Sequence, residues 1–189
     1  MAKDTVAIVG RPNVGKSTLF NRLTESRKAI VDEVSGVTRD RHYGEVEWEG
    51  NTFNVIDTGG DIKNSDDVFE KEISKQVEIA INEASLVIFL VDVTGGITDL
   101  DEMIADKLRS SEKEVLLVVN KVDNIQRRYE ASEFYSLGLG EIYPVSSMHG
   151  SGTGDILDEV CSKLGFSEQE EKNEIPRYAV VGRPNVGKS

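Results

Sequence analysis

Gly10-Arg11-Pro12-Asn13-Val14-Gly15-Lys16-Ser17 lies between an apolar run, Val6-Ala7-Ile8-Val9, and a segment that continues at helical period with Leu19, Phe20 and Leu23 on one face. The string satisfies G-x-x-x-x-G-K-[ST], the phosphate-binding P-loop. Its glycines let backbone N–H groups approach phosphate oxygens closely, and the helix that follows aims its N-terminus at them. Lys16 would neutralise the β- and γ-phosphates, and the Ser17 hydroxyl would bind Mg²⁺. Thr18 follows on the first helical turn and belongs to the same phosphate-contacting stretch. The identical eight letters return at 182–189, preceded by Arg177-Tyr178-Ala179-Val180-Val181, which has the character of the first strand. The expectation is a complete domain over 1–166, an acidic linker over 167–176 carrying Glu168, Glu170, Glu171 and Glu174, and the first strand and P-loop of a truncated second domain over 177–189. The second copy should bind no nucleotide here, because no helix or base-recognition loop follows it.

Outward from the P-loop, apolar runs alternate with helical segments, the pattern of an α/β domain with a mainly parallel sheet. Buried strands are predicted at 6–9, 87–91 and 115–119, with a short last strand at 142–145. Helices are predicted at 18–24, 68–83, 100–110 and 156–164. Residues 43–49 alternate, with Val46 and Trp48 on one side and Glu45, Glu47 and Glu49 on the other. Gly50-Asn51 then turns this strand into 53–56 as an antiparallel hairpin.

The 189 residues are 38% hydrophobic and 30% charged, which suits one ordinary globular domain. The longest apolar runs are too short to cross a bilayer, which takes about 20 residues. No secretion leader is read at Met1, and Cys161 is the only cysteine, so no intrachain disulfide forms and the expected compartment is the cytoplasm. The net charge of −12 repels a polyanion such as RNA; Arg39, Arg41 and His42, broken by Asp40, make only a weak basic patch. His42 and His149 lack metal-ligand partners and read as surface residues. Cys161 shares a helical face with Leu157 and Leu164 and reads as core.

Further motifs lie where strands end. Asp57-Thr58-Gly59-Gly60 places a carboxylate that can hold Mg²⁺ opposite Ser17, and its glycines let the Gly60 N–H face the γ-phosphate. Asn120-Lys121-Val122-Asp123 follows a buried strand. The Asp123 carboxylate can accept both N1–H and 2-amino hydrogens of guanine, a donor pair adenine lacks. Asn120 can bond the base and tie this loop to the P-loop, and the Lys121 stem can cover the ring. Thr38 can complete the Mg²⁺ shell and touch the γ-phosphate, or be an ordinary loop threonine. Ser146-Ser147 can present backbone N–H to the guanine carbonyl.

In this order the motifs resemble the Ras-like GTPases of the translation-factor class. The repeated P-loop, Thr38-Arg39-Asp40-Arg41 and Tyr135-Ser136-Leu137-Gly138-Leu139-Gly140 narrow the resemblance to the Era-like double GTPases of bacteria, which are ribosome-assembly factors. The resemblance implies a P-loop GTPase fold: a six-stranded, mainly parallel sheet with one antiparallel edge strand and helices on both faces. It implies GTP as substrate, Mg²⁺ as cofactor, and a switch acting in large-subunit assembly. Ribosome or ribosomal RNA would be reached through parts of the parent protein absent here; the fragment itself is expected to be monomeric. Lys16, Thr38, Gly60 and Asn13 are the catalytic candidates. Segments 29–42 and 60–69 should be mobile without a γ-phosphate. Two departures stand out: Ser147 replaces the family's alanine, and Asp61 stands where Ras has its glutamine. Relatives lacking that glutamine use K⁺, held partly by a P-loop asparagine; Asn13 matches that position, or simply shapes the loop. Hydrolysis by the isolated domain should then be slow and faster in K⁺. The rivals are another Era-like switch, as in tRNA modification, and a GTP-sensing interaction module with negligible turnover.

Overall fold

The computed structural model describes residues 4–24, 42–58 and 66–166. Strands β1 (Thr5–Val9), β2 (His42–Trp48), β3 (Asn51–Asp57), β4 (Leu86–Asp92), β5 (Glu114–Asn120) and β6 (Ile142–Pro144) form one sheet in the order β2-β3-β1-β4-β5-β6. All neighbours run parallel except β2, which pairs antiparallel with β3 at one edge. The expected six-stranded, mainly parallel sheet with an antiparallel edge strand is therefore present.

The central strands are apolar throughout because both sheet faces are covered. Along β1 the pleat sends Val6 and Ile8 into one core and Ala7 and Val9 into the other. Helices α1 (Lys16–Thr24) and α5 (Thr153–Lys163) close the first core with Leu19, Phe20, Leu23, Ile156, Leu157 and Val160. Helices α2 (Asp66–Glu83) and α3 (Asp99–Arg109) close the second with Ile73, Val77, Ile104 and Leu108. Burying each large aliphatic side chain of this kind stabilises the fold by about 1.5–3 kcal/mol. Cys161 is buried in the first core, as its helical face predicts, and Trp48 packs against that core while its Nε1–H donates to Asp158 at 2.7 Å.

Two local features differ from the sequence expectation. The hairpin turn is Glu49-Gly50, one residue earlier than Gly50-Asn51, since Trp48 and Asn51 are still paired. Both turn residues have positive φ, 47° and 81°, which matches the right-handed twist of the strands. Between β5 and β6 the chain forms α4 (Ile125–Glu130), then a 3-10 segment, Ala131–Leu137, that no predicted element covered. Asn124 starts α4 by accepting the Arg127 N–H on its side chain at 2.9 Å. The last turn of the 3-10 segment seals the second core with Phe134 and Leu137.

Candidate nucleotide site at the carboxyl ends of the strands

Every predicted nucleotide-contacting motif that falls within the described residues sits at the carboxyl end of a parallel strand; Tyr135–Gly140 instead precedes β6. The loop 10–15 leaves β1, Asp57 ends β3, Asn120 ends β5 and Ser146 follows β6. Parallel register makes this happen. Ile8 pairs with Asp57 and Asp92 with Asn120, so the strand ends finish level and their loops share one rim. Thr38, Gly59, Gly60, Asp61, the linker and the second P-loop copy lie outside the described residues.

The P-loop glycines are required by packing. A Cβ on Gly10 would collide with the Leu90 carbonyl oxygen, and one on Gly15 (φ 101°) with the Asn120 side-chain amide. Asn13 occupies the left-handed region at φ 65°, where asparagine is the best tolerated residue after glycine. Its side chain is exposed, as are those of Ser17 and Thr18 on the first turn of α1. The first N–H groups of that helix have no intrahelical acceptor and point out of its N-terminus. Val14 is buried, and Pro12 is half-buried.

Lys16 folds back over this loop. Its Nζ donates to the carbonyls of Gly10 at 2.8 Å and Arg11 at 3.0 Å. Burial pushes the ammonium pKa down to about 8; the nearby Asp57 carboxylate opposes that shift and Arg11 adds to it. Asp57 is fully buried. Thr58 fastens the end of β3, its hydroxyl donating to the Ile8 carbonyl at 2.8 Å. A desolvated ammonium beside orphaned helix N–H groups is a site built for an anion, and polyphosphate fits it. The Ser17 hydroxyl and Asp57 carboxylate are hard oxygen donors that could hold Mg²⁺. Among the described residues no group of three or more His, Cys, Asp and Glu side chains could hold a metal ion unaided.

Asn120 is the centre of the site. It is buried, its side-chain amide donates to the Val14 carbonyl at 2.8 Å, and its carbonyl oxygen accepts from both the N–H and the hydroxyl of Ser147 at 2.9 Å. One side chain thus joins the P-loop to the loop after β6. Lys121, at φ 65°, donates to the Asn13 carbonyl at 3.1 Å and to Asp92 at 2.5 Å. Burial alone would raise the Asp92 carboxyl pKa, but hydrogen bonds from Lys121 and Thr94 outweigh it and hold the pKa below its ordinary value. Asp123 points both oxygens at donors: Ser146 Oγ bonds Oδ1 at 2.6 Å and Arg127 Nη1 bonds Oδ2 at 2.7 Å.

Sequence reasoning missed several supports. Arg11 directs its Nε to Asp101 at 3.1 Å, a fully buried carboxylate that also forms the capping box of α3 with Thr98. Arg22 reaches from α1 to the carbonyls of Ser147 at 3.2 Å and Met148 at 2.6 Å, fixing the last loop. Asp92 carried the signal of a carboxylate ending an apolar strand. Asp123 and Arg127 carried the four-residue spacing of a helical ion pair.

The comparisons agree with this geometry. The profile of the family described as 50S ribosome-binding GTPase matches residues 5–121. The chain is 62% identical over 184 residues to the GTPase Der of Christiangramia forsetii, covering 97% of this chain and 42% of that protein. It is 61% identical over 193 residues to the GTPase Der of Flavobacterium johnsoniae, covering all of this chain and 44% of the relative. The chain therefore spans under half the length of these curated relatives. Among solved structures it resembles Era in complex with MgGDPNP and nucleotides 1506–1542 of 16S ribosomal RNA, with TM-score 0.68, 28% identity, and coverage of 86% of this chain and 57% of Era. It also resembles the G domain of the T. maritima FeoB iron transporter, with TM-score 0.62, 26% identity, and coverage of 85% and 98%. Sheet order, P-loop and profile match converge, and the chain belongs to the family of 50S ribosome-binding GTPases.

Proposed function

We propose that this chain is a G domain that binds GTP with Mg²⁺, hydrolyses it to GDP and phosphate, and acts as a conformational switch in assembly of the large ribosomal subunit. The observation that carries the reading is Asn120, which bonds both the P-loop and the Ser147 loop while Asp123 stands three residues further on. That arrangement sets an anion site and a two-acceptor carboxylate on one rim, as a nucleoside triphosphate requires. Lys16 would face the β- and γ-phosphates together with the N–H groups of Gly15, Ser17 and Thr18. Ser17, Thr38 and Asp57 would hold Mg²⁺, which when bound supplies positive charge against the phosphate oxygens. Gly60 would offer its N–H to the γ-phosphate. Asp123 would accept from guanine, with Lys121 along the ring and the Ser146-Ser147 backbone at the guanine carbonyl. Asn13 would help hold K⁺, whose charge would offset the missing glutamine; turnover in isolation would be slow.

The ribosomal role is supported by the family description and by the relatives named GTPase Der. The acidic charge of −12 leaves direct RNA contact to other parts of a longer protein, with 167–176 as linker and 177–189 opening a second G domain. No helix among the described residues is long and apolar enough to cross a membrane. Binding of GTP and ATP to this chain tests the reading. GTP should bind and ATP should not compete, and Asp123→Asn should shift preference to xanthosine triphosphate, whose 2-oxo group accepts a hydrogen bond. Equal affinity for GTP and ATP refutes it.

A further inference from the structure

We propose that Arg127 is a positioning residue for base selection, holding the Asp123 carboxylate in the plane that a guanine must meet. The proposal rests on the reading of Asp123 as the base-recognising group. Guanine presents N1–H and the 2-amino group side by side, so the carboxylate must lie coplanar with the base to accept from both. A single hydrogen bond from a rotatable hydroxyl holds that plane only loosely. Ser146 Oγ donates to Oδ1 at 2.6 Å, but a hydroxyl swings about its own C–O bond and follows the oxygen through a range of carboxylate rotation. Arg127 Nη1 donates to Oδ2 at 2.7 Å, and this second contact, on the opposite oxygen, narrows that range. The same Nη1 donates to the Lys121 carbonyl at 3.0 Å, so the guanidinium is itself held against the backbone of the base loop. Each carboxylate oxygen has about two acceptor sites; Ser146 and Arg127 take one each and leave one on each oxygen for the base.

The local fold explains why Arg127 is there. Asn124 caps α4 by accepting the Arg127 N–H at 2.9 Å, so the helix begins at once after the base loop and its first turn carries Arg127 back over Asp123. Asp123 and Arg127 are both about one-third exposed. Solvent therefore screens the pair, and its worth as an ion pair is small. The effect on selection should exceed its effect on stability, because orientation matters only when a base arrives.

The test compares GDP with IDP, which lacks the 2-amino group, by calorimetric titration of wild type, Arg127→Ala and Arg127→Lys, with thermal melting alongside. Wild type should bind GDP more tightly than IDP. Arg127→Ala should weaken GDP about fivefold, which corresponds to roughly 1 kcal/mol. It should weaken IDP less, so the GDP/IDP ratio contracts, with the melting temperature nearly unchanged. Arg127→Lys should restore part of the ratio, since an ammonium can donate to the carboxylate without the rigid fork. An unchanged ratio in Arg127→Ala overturns the assignment while wild-type preference for GTP over ATP leaves Asp123 intact. Tighter GDP binding by Arg127→Ala also overturns it, showing that Arg127 shields Asp123 instead. A wild type without preference for GTP over ATP removes the underlying reading as well.

Discussion

Lys16 keeps its ammonium in a site where only 9% of the residue is exposed, and its pKa falls from 10.5 to about 8. Burial is the larger cause, so the folded protein without phosphate is holding a charge it would rather lose. The fall from 10.5 to about 8 amounts to about 3 kcal/mol. The sign follows from proton binding. Between pH 8 and 10.5 the unfolded chain holds the Lys16 proton more tightly than the folded one. Stability from this group therefore rises with pH across that window, is complete above it, and is lost as pH falls through 8. A polyphosphate reverses the preference by supplying a counter-charge. Nucleotide binding at alkaline pH should thus draw a proton onto Lys16. With a free-state pKa of about 8, GDP affinity should fall roughly threefold from pH 7.5 to 8.5, with uptake of about three-quarters of a proton per nucleotide at pH 8.5. Titration calorimetry in two buffers of different ionisation enthalpy reads the uptake directly, and pH 8.5 lies below the ionisation of the guanine N1–H. Lys16→Met, which keeps the stem, should flatten the alkaline rise in urea stability. Zero proton uptake together with flat affinity would refute the desolvated-charge argument.

Asn120→Ala removes three buried hydrogen bonds and strands the Val14 carbonyl and the Ser147 N–H. At about 1–3 kcal/mol per buried group left unpaired, the two groups should cost about 2–6 kcal/mol, read as a lower urea midpoint with unchanged slope; a loss below about 1 kcal/mol would show that water replaces Asn120. Asn13 can be separated from its backbone conformation, because glycine holds φ 65° without strain whereas alanine costs about 1–2 kcal/mol there. If the side chain holds K⁺, Asn13→Gly abolishes the faster GTP hydrolysis in K⁺ over Na⁺. If asparagine serves only to shape the loop, Asn13→Gly responds to K⁺ as wild type does.

Residues adjacent in the chain were readable where their backbone conformations follow from their own chemistry. The apolar runs became β1, β4 and β5, and Gly10 and Gly15 fell between strand and helix, with Lys16 opening α1, as the P-loop spacing requires. Reading failed where this local logic weakens. Helix α4 buries none of its residues, so it leaves no apolar period, and only Asn124 marks its start. The hairpin turn shifted because Glu49 adopts a positive φ that composition favours only for glycine or asparagine.

Local order therefore settles that a phosphate loop, a carboxylate at a strand end and an Asn-Lys-x-Asp loop exist in this chain. Their assembly into one rim was decided by the sheet. Arg11 finds Asp101 90 residues away, Asn120 finds Val14 across 106, and Arg22 finds Ser147 across 125. Such partners meet because parallel register levels the strand ends and the two cores fix the helices above them. Burial then makes each pairing obligatory, since an amide such as Asn120 or a carboxylate such as Asp101 is costly to enclose without donors and acceptors around it. No spacing along the sequence carries that information; it arises from which strands lie side by side.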